Sequence, residues 1–178
     1  MKKPEKRMDN ERKKIILVDD NMSHLIQGKK ILKAFYEVYP TPSAKNLFEV
    51  LKNIRPDLIL LDIRMPGVDG YEAIKILKAD KCFADIPVIL LTDKNDTDRE
   101  QEGFDLGAAD YITKPFSAPL LLKRVEKELA FVQKTKDLIE CRTALKNYAS
   151  DVASLAILLI ECRTALKDCK NNMKDNGN

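Results

Sequence analysis

The chain has 178 residues, with 31 Lys+Arg against 28 Asp+Glu and a formal net charge of +3, a near-balance that argues against a dedicated nucleic-acid binder. With 44% hydrophobic and 33% charged residues, the composition excludes global disorder and supports a packed core, and the length suits one ordinary domain plus a further segment. No apolar run approaches the ~20 residues needed to span a bilayer. The opening MKKPEKRMDNERKK is basic but lacks the apolar stretch of a signal peptide. Cys82, Cys141, Cys162 and Cys169 show no disulfide-framework spacing. The expected setting is a reducing cytoplasm, with neither membrane nor direct nucleic acid as partner.

Residues 1–13 are polar and charged and read as a flexible tail. From Lys14 short apolar runs alternate with longer mixed stretches. Ile15–Val18, Leu58–Leu61 and Val88–Leu91 are the strong runs, and Glu37–Tyr39 and Asp110–Thr113 the weaker ones. Continuous rather than alternating apolarity suits strands covered on both faces, as in a parallel sheet. Between them lie helical patterns. Ser23 is expected to cap a helix reaching about Tyr36, with Leu25, Ile26, Ile31, Leu32 and Phe35 on one side. Ser43 caps the next, which carries Leu47, Val50, Leu51 and Ile54. Gly70–Ala79 carries Ala73, Ile74 and Leu77; Asp96–Leu106 is more polar; Ser117 precedes the last, with Leu121, Leu122 and Val125. Five β-α repeats predict a three-layer α/β sandwich over 14–130.

Ligands of open α/β sheets bind outside the carboxyl ends of the strands. That rule gathers scattered polar residues at one rim: Asp19 and Asp20 after strand one, Asp62 after strand three, Thr92 after strand four and Lys114 after strand five. Carboxylates about 4 Å apart cost roughly 4 kcal/mol per pair at an effective dielectric near 20. A proton or a cation must offset that. Hard oxygen ligands without nearby Cys or His favour Mg²⁺, which completes its shell with water and phosphate oxygens. A metal beside a carboxylate, with an amine and a hydroxyl close by, fits phosphoryl transfer, and Asp62 is the best nucleophile candidate.

The motifs VDDN (Val18–Asn21), LLDIRMPGVDG (Leu60–Gly70), LLT (Leu90–Thr92) and GAADYITKPF (Gly107–Phe116) resemble the receiver domain of two-component response regulators. The resemblance covers about Lys14–Ala130. It implies a flavodoxin-like five-stranded parallel sheet of order 2-1-3-4-5. It makes Asp62 the phosphoacceptor, and Asp19, Asp20, Asp62 and the backbone carbonyl of Arg64 the Mg²⁺ ligands. Thr92 becomes the switch hydroxyl, Lys114 the phosphoryl partner, Tyr111 the aromatic switch, and Lys114-Pro115 a cis peptide site. The implied phosphodonor is a histidine kinase, a phosphotransfer protein or a small phosphodonor. On that reading the protein is a phosphoacceptor rather than an enzyme.

Two positions depart from the commonest pattern of the family. Asp93 stands where a small residue is usual and either repels phosphodonors or points to solvent, and Arg64 lies two residues after Asp62, so both are candidate modulators of phosphoryl lifetime. His24, just after the acidic pair, reads as a first-turn residue or a phosphoryl relay. Gly67 and Gly70 serve the backbone of the loop after Asp62, and Cys82 reads as packing.

Residues 131–178 contain no Gly or Pro until Gly177. A heptad seam runs through them, with Leu138, Leu145, Val152, Leu159, Leu166 and Met173 at a and Cys141, Tyr148, Leu155, Cys162 and Cys169 at d. IECRTALK occurs at Ile139–Lys146 and again at Ile160–Lys167, three heptads apart, so the repeat preserves the seam. One helix from Phe131 to Met173 would reach about 64 Å; a hairpin broken near Asn147–Asp151, with Ser150 as cap, is the rival geometry. Ala144, Ala149, Ala156, Leu158 and Ala165 at e and g widen the apolar face and suggest more than two helices or close antiparallel packing. The segment is expected to form a homo-oligomer, a dimer or a higher bundle, through 131–173. Its position resembles the linker helix between receivers and cyclic-dinucleotide enzymes, and no output domain is recognisable. Two other functions stay open: a phosphatase with an aspartate nucleophile, disfavoured because its two acids would stand two residues apart after strand one, and a scaffold independent of phosphate.

Overall fold

Ten elements alternate along the chain: β1 (Lys14–Val18), α1 (Met22–Leu32), β2 (Glu37–Thr41), α2 (Ala44–Leu51), β3 (Leu58–Asp62), α3 (Gly70–Ala79), β4 (Val88–Asp93), α4 (Glu100–Asp105), β5 (Asp110–Lys114) and α5 (Ala118–Asp175). They are taken from a computed structural model that describes residues 12–93 and 100–175. Nearly all of the expected tail, and the first part of the expected Asp96–Leu106 helix, lie outside the described residues. The five strands form one parallel sheet of order β2-β1-β3-β4-β5, the order that the resemblance implied.

Successive strand side chains point to opposite faces, and here both faces are covered. Ile15 and Leu17 of β1, Leu58 and Leu60 of β3, Ile89 and Leu91 of β4 and Ile112 of β5 pack with Leu25 and Leu32 of α1 and Leu121 and Val125 of α5. Ile16, Val18, Ile59, Leu61, Val88, Leu90 and Tyr111 pack on the other face with Leu47 and Leu51 of α2 and Ala73, Ile74 and Leu77 of α3. This two-sided burial is why the central strands read as unbroken apolar runs. Each fully buried Leu or Ile contributes about 2 kcal/mol relative to exposure. β2 is an edge strand and tolerates Pro40, which has no N–H to donate, opposite Leu17.

The first helix corrects the sequence reading in three ways. Its N-cap is Asn21 rather than Ser23: the Asn21 side chain accepts the Ser23 N–H at 2.8 Å. It ends at Leu32, not Tyr36. Its buried stripe is Leu25, Gly28 and Leu32, whereas Ile26 is 62% and Phe35 61% exposed. Ile26 sits one position, about 100° of rotation, off the stripe, and Phe35 lies beyond the helix end. Gly28 belongs to the stripe because a Cβ there would meet Leu17 Cδ2 at 2.6 Å. Ser43 caps α2 as expected, accepting the Asn46 N–H at 3.2 Å, and Asp69 caps α3, accepting the Glu72 N–H at 2.8 Å.

The chain divides into two compact units at Val132/Gln133. The first holds the sandwich. In the second, the helix runs unbroken through Asn147–Asp151, so the hairpin alternative is not realised. Its described side chains up to Glu161 are exposed, with Leu138, Leu145, Tyr148, Val152, Leu155 and Leu159 of the seam among them. The side chains of Cys162, Leu166, Cys169 and Met173 lie outside the described set. Cys82, expected as packing, is exposed instead.

Asp110 at the start of β5 is tied to α5. Arg124 Nη1 donates to both of its carboxylate oxygens at 2.5 and 2.7 Å, and the Tyr111 N–H donates to Oδ1 at 2.8 Å. Burial alone would raise this carboxyl. The Arg124 hydrogen bonds, the Tyr111 N–H and the charges of Arg124 and Lys127 outweigh burial and hold it below its ordinary value. A depressed acid stabilises the fold above its unfolded pKa, about 4, and that contribution is lost as pH falls through the lower folded value. Replacing the partly exposed Arg124 by Ala should therefore cost about 1 kcal/mol at pH 7. The deficit should fade as Asp110 protonates below about pH 4; paired urea titrations at pH 7 and pH 3 measure both values.

Candidate functional site

The strand order reverses direction between β1 and β3, the point at which open α/β sheets place their crevice, at the carboxyl edge. Asp19 leaves β1 on one side of it and Asp62 ends β3 on the other. Both are buried, at 0% and 4% exposure, whereas Asp20 is exposed. One oxygen from each of Asp19, Asp20 and Asp62 lies within 4.8 Å of the others. Thr92, near the end of β4, and Lys114, the last residue of β5, are buried at the same rim.

Lys114 Nζ lies 2.8 Å from Asp19 Oδ2 and 2.8 Å from Asp62 Oδ1, bridging the two buried acids. Asp19 also accepts the Asn21 N–H at 2.9 Å. Burial raises the Asp62 carboxyl above its ordinary value, and the neighbouring Asp19 charge adds to this, against the lowering effect of Lys114. Burial pulls the Lys114 amine down, but its hydrogen bonds and charge contacts with the two aspartates prevail and hold it above its usual value. The amine is thus cationic, and one charge faces three acids. The clustered donors are all oxygens, two of them buried, and they remain under-neutralised. That is a setting suited to a hard divalent ion such as Mg²⁺.

The Arg64 N–H reaches Asp62 Oδ1 at 3.4 Å, and the Arg64 side chain extends to Asp93, Nε to Oδ2 at 3.9 Å. The two departures from the family pattern therefore meet each other. Both side chains are about half exposed, so the pair is weak. The Thr92 hydroxyl donates to the Asp93 carbonyl oxygen at 3.1 Å. Tyr111 is away from the acids: it is buried on the α2/α3 face of the sheet, packed edge-to-face on Phe104 with centroids 4.9 Å apart. Lys114-Pro115 is a cis peptide.

The Asp19 contact of His24 and the role of Gly103 escaped the sequence reading, and Gly70, expected to serve the loop after Asp62, gains its steric reason. His24 is not a bystander: its Nδ1 lies 3.1 Å from each Asp19 oxygen, with the side chain 34% exposed. Its five-residue spacing from Asp19 was the available signal. Gly70 is required sterically, because a Cβ there would lie 2.5 Å from the Asp62 carbonyl oxygen and 2.7 Å from Ile63 Cα. Gly103 in α4 leaves room for Tyr111, whose hydroxyl would stand 1.5 Å from an added Cβ. A glycine inside a helix costs propensity, and that cost was the hint. Gly67 has φ +83°, a conformation glycine adopts without strain.

Comparison with known proteins agrees with this geometry. The response regulator receiver domain family matches residues 15–126. Among curated relatives, the "Probable cyclic di-GMP phosphodiesterase" of Vibrio cholerae is 40% identical over 125 residues, 70% of this chain and 28% of that protein. The phosphate regulon transcriptional regulatory protein PhoB of Pseudomonas aeruginosa is 39% identical over 119 residues, 66% of this chain and 52% of that one. The chain thus spans about half or less of the relatives it matches. Among solved structures, the receiver domain of a signal transduction histidine kinase from Syntrophus aciditrophicus superposes with TM-score 0.62 at 33% identity, covering 67% of this chain and 92% of that one. The chemotaxis response regulator CheY4 of Vibrio cholerae gives TM-score 0.62 at 28% identity, over 66% and 98%. Among the described residues no helix is long and apolar enough to cross a membrane. The chain carries the receiver domain of a response regulator of two-component signalling and belongs to that family.

Proposed function

We propose that the protein accepts a phosphoryl group on Asp62 from a histidine kinase, a phosphotransfer protein or a small phosphodonor, and that it relays the change through protein contacts. The observation that carries this reading is the amine of Lys114 bridging Asp19 and Asp62 beside the exposed Asp20. Asp19, Asp20, Asp62 and the backbone carbonyl of Arg64 would hold Mg²⁺, which when bound supplies charge neutralisation to the transferring group.

The steps assigned to the chain are supported by its geometry. An Asp62 carboxylate oxygen forms a bond to phosphorus. The bond from phosphorus to the donor's nitrogen or oxygen breaks, and the electron pair leaves with the donor atom. The product adds roughly two negative charges and three acceptor oxygens. Lys114 moves from the carboxylates to a phosphoryl oxygen. The Thr92 hydroxyl exchanges the Asp93 carbonyl for another phosphoryl oxygen. Tyr111 already lies buried against Gly103 and Phe104, so this movement of Thr92 would hold the ring in place rather than draw it in. The α4-β5-α5 face is then the two-state element that phosphorylation biases.

Self-association belongs to the same reading. Receiver domain 14–130 would be joined to an oligomerising helix over 131–173, because an apolar seam exposed over several turns needs a cover.

Incubation with acetyl phosphate and Mg²⁺ should add about 80 Da, the mass of one phosphoryl group. The adduct should vanish in Asp62→Ala and drop at least tenfold when EDTA removes the cation; an undiminished adduct in Asp62→Ala would refute the assignment. Arg64→Ala should change the decay rate of that adduct by more than twofold, and an unaltered decay curve removes Arg64 as a modulator. In light scattering, a chain truncated after Ala130 should lose the oligomeric mass of the full chain. Equal masses would place assembly elsewhere.

A further inference from the structure

The heptad positions carry information about strand direction as well as about assembly. We infer that the exposed seam of α5 is covered by a second copy of this chain, parallel and in register, rather than by the larger or antiparallel bundle that the apolar e and g positions suggest, and this inference rests on the self-association reading above. Leu138, Leu145, Val152, Leu155 and Leu159 are between 50% and 71% exposed, so the apolar stripe has no cover within its own unit. The flanking charges then discriminate between partners.

In a parallel pair, each g residue faces the e residue five positions on in the partner. Asp137 (g) then meets the partner's Arg142 (e), and the contact occurs twice by symmetry. Ala144 meets the partner's Ala149, and Asp151 the partner's Ala156. No like-charge contact arises along the described part of the seam. An antiparallel pair instead sets e against e and g against g. With the longest overlap, Arg142 faces the partner's Arg163, and the charged Asp151 faces the partner's Leu158. A slip of one heptad toward the N-terminal end removes the arginine clash but places Asp151 against the partner's Asp151. A parallel stagger by the 21-residue repeat satisfies the charges but leaves about half the seam uncovered. In-register parallel pairing alone combines full overlap with an attractive pair. It also brings Cys141, exposed and at d, beside the partner's Cys141. By chain order, both receiver domains enter the paired seam from the same end.

Arg142→Glu separates the directions by sign, because it turns the parallel Asp137–Arg142 attraction into repulsion and the antiparallel Arg142–Arg163 repulsion into attraction. Sedimentation equilibrium of the full chain should give twice the 20.3 kDa chain mass. Arg142→Glu should weaken the dimer at least fivefold, and Asp137→Arg combined with Arg142→Asp should restore it. A tighter or unchanged Arg142→Glu dimer overturns the parallel direction, and a mass above two chains overturns the pairing of two. A wild-type mass of one chain would instead overturn the self-association reading itself. In a variant with Cys82, Cys162 and Cys169 changed to Ser, oxidation should join two chains through Cys141. A dimer in solution that resists this cross-link also overturns the register. All the charge variants lie at exposed positions outside the receiver unit, and far-UV circular dichroism checks that the fold persists.

Discussion

Like-charge repulsion at the carboxyl edge of the sheet organises this molecule. Two buried carboxylates and one exposed one converge in the crevice beside β1 and β3. Burial strengthens their repulsion because little water remains to screen it. Lys114 answers part of the charge with a single amine held 2.8 Å from both buried acids. The remainder gives the site its appetite for a cation, and a transferred phosphoryl group would redistribute the same charges. On the proposed reading, this one electrostatic imbalance would serve ion binding, phosphate acceptance and the switch.

The imbalance persists only because the sheet beneath it is rigid. Asp19, Asp62, Thr92 and Lys114 lie at the ends of four strands whose apolar residues are packed from both sides. Asp19 follows and Asp62 ends two adjacent strands whose register pairs Val18 with Leu61, and Lys114 ends β5, paired with Asp93 of β4. The close approach of Gly70 to the Asp62 carbonyl and to Ile63 pins the loop after β3 in the same way. Arg64 and Asp93 bring opposite charges together at the rim.

Much of the site was legible because each acid, the hydroxyl and the amine directly follow or end an apolar run, and a parallel sheet sends all such ends to one rim. The illegible parts are those set by neighbours distant in sequence. Gly103 is explained by Tyr111, on another element, and Gly28 by Leu17. His24 could be placed in the first turn of α1, yet its contact with Asp19 goes with a cap at Asn21, two residues earlier than the serine expected from the sequence. Ile26 fell outside the buried stripe because it sits one position off it, and Phe35 because it lies beyond the helix end.

The α/β alternation, the positions of the strands, the heptad seam and the set of polar residues at strand ends were determined by the sequence alone, because hydrophobic periodicity and turn chemistry are local properties. Which side chains touch was decided only in three dimensions. The Lys114 bridge, the burial of Asp19 but not Asp20, and the meeting of Arg64 with Asp93 depend on distances between strands and loops far apart in the chain, and no local pattern encodes a distance of 2.8 Å between residues 19 and 114.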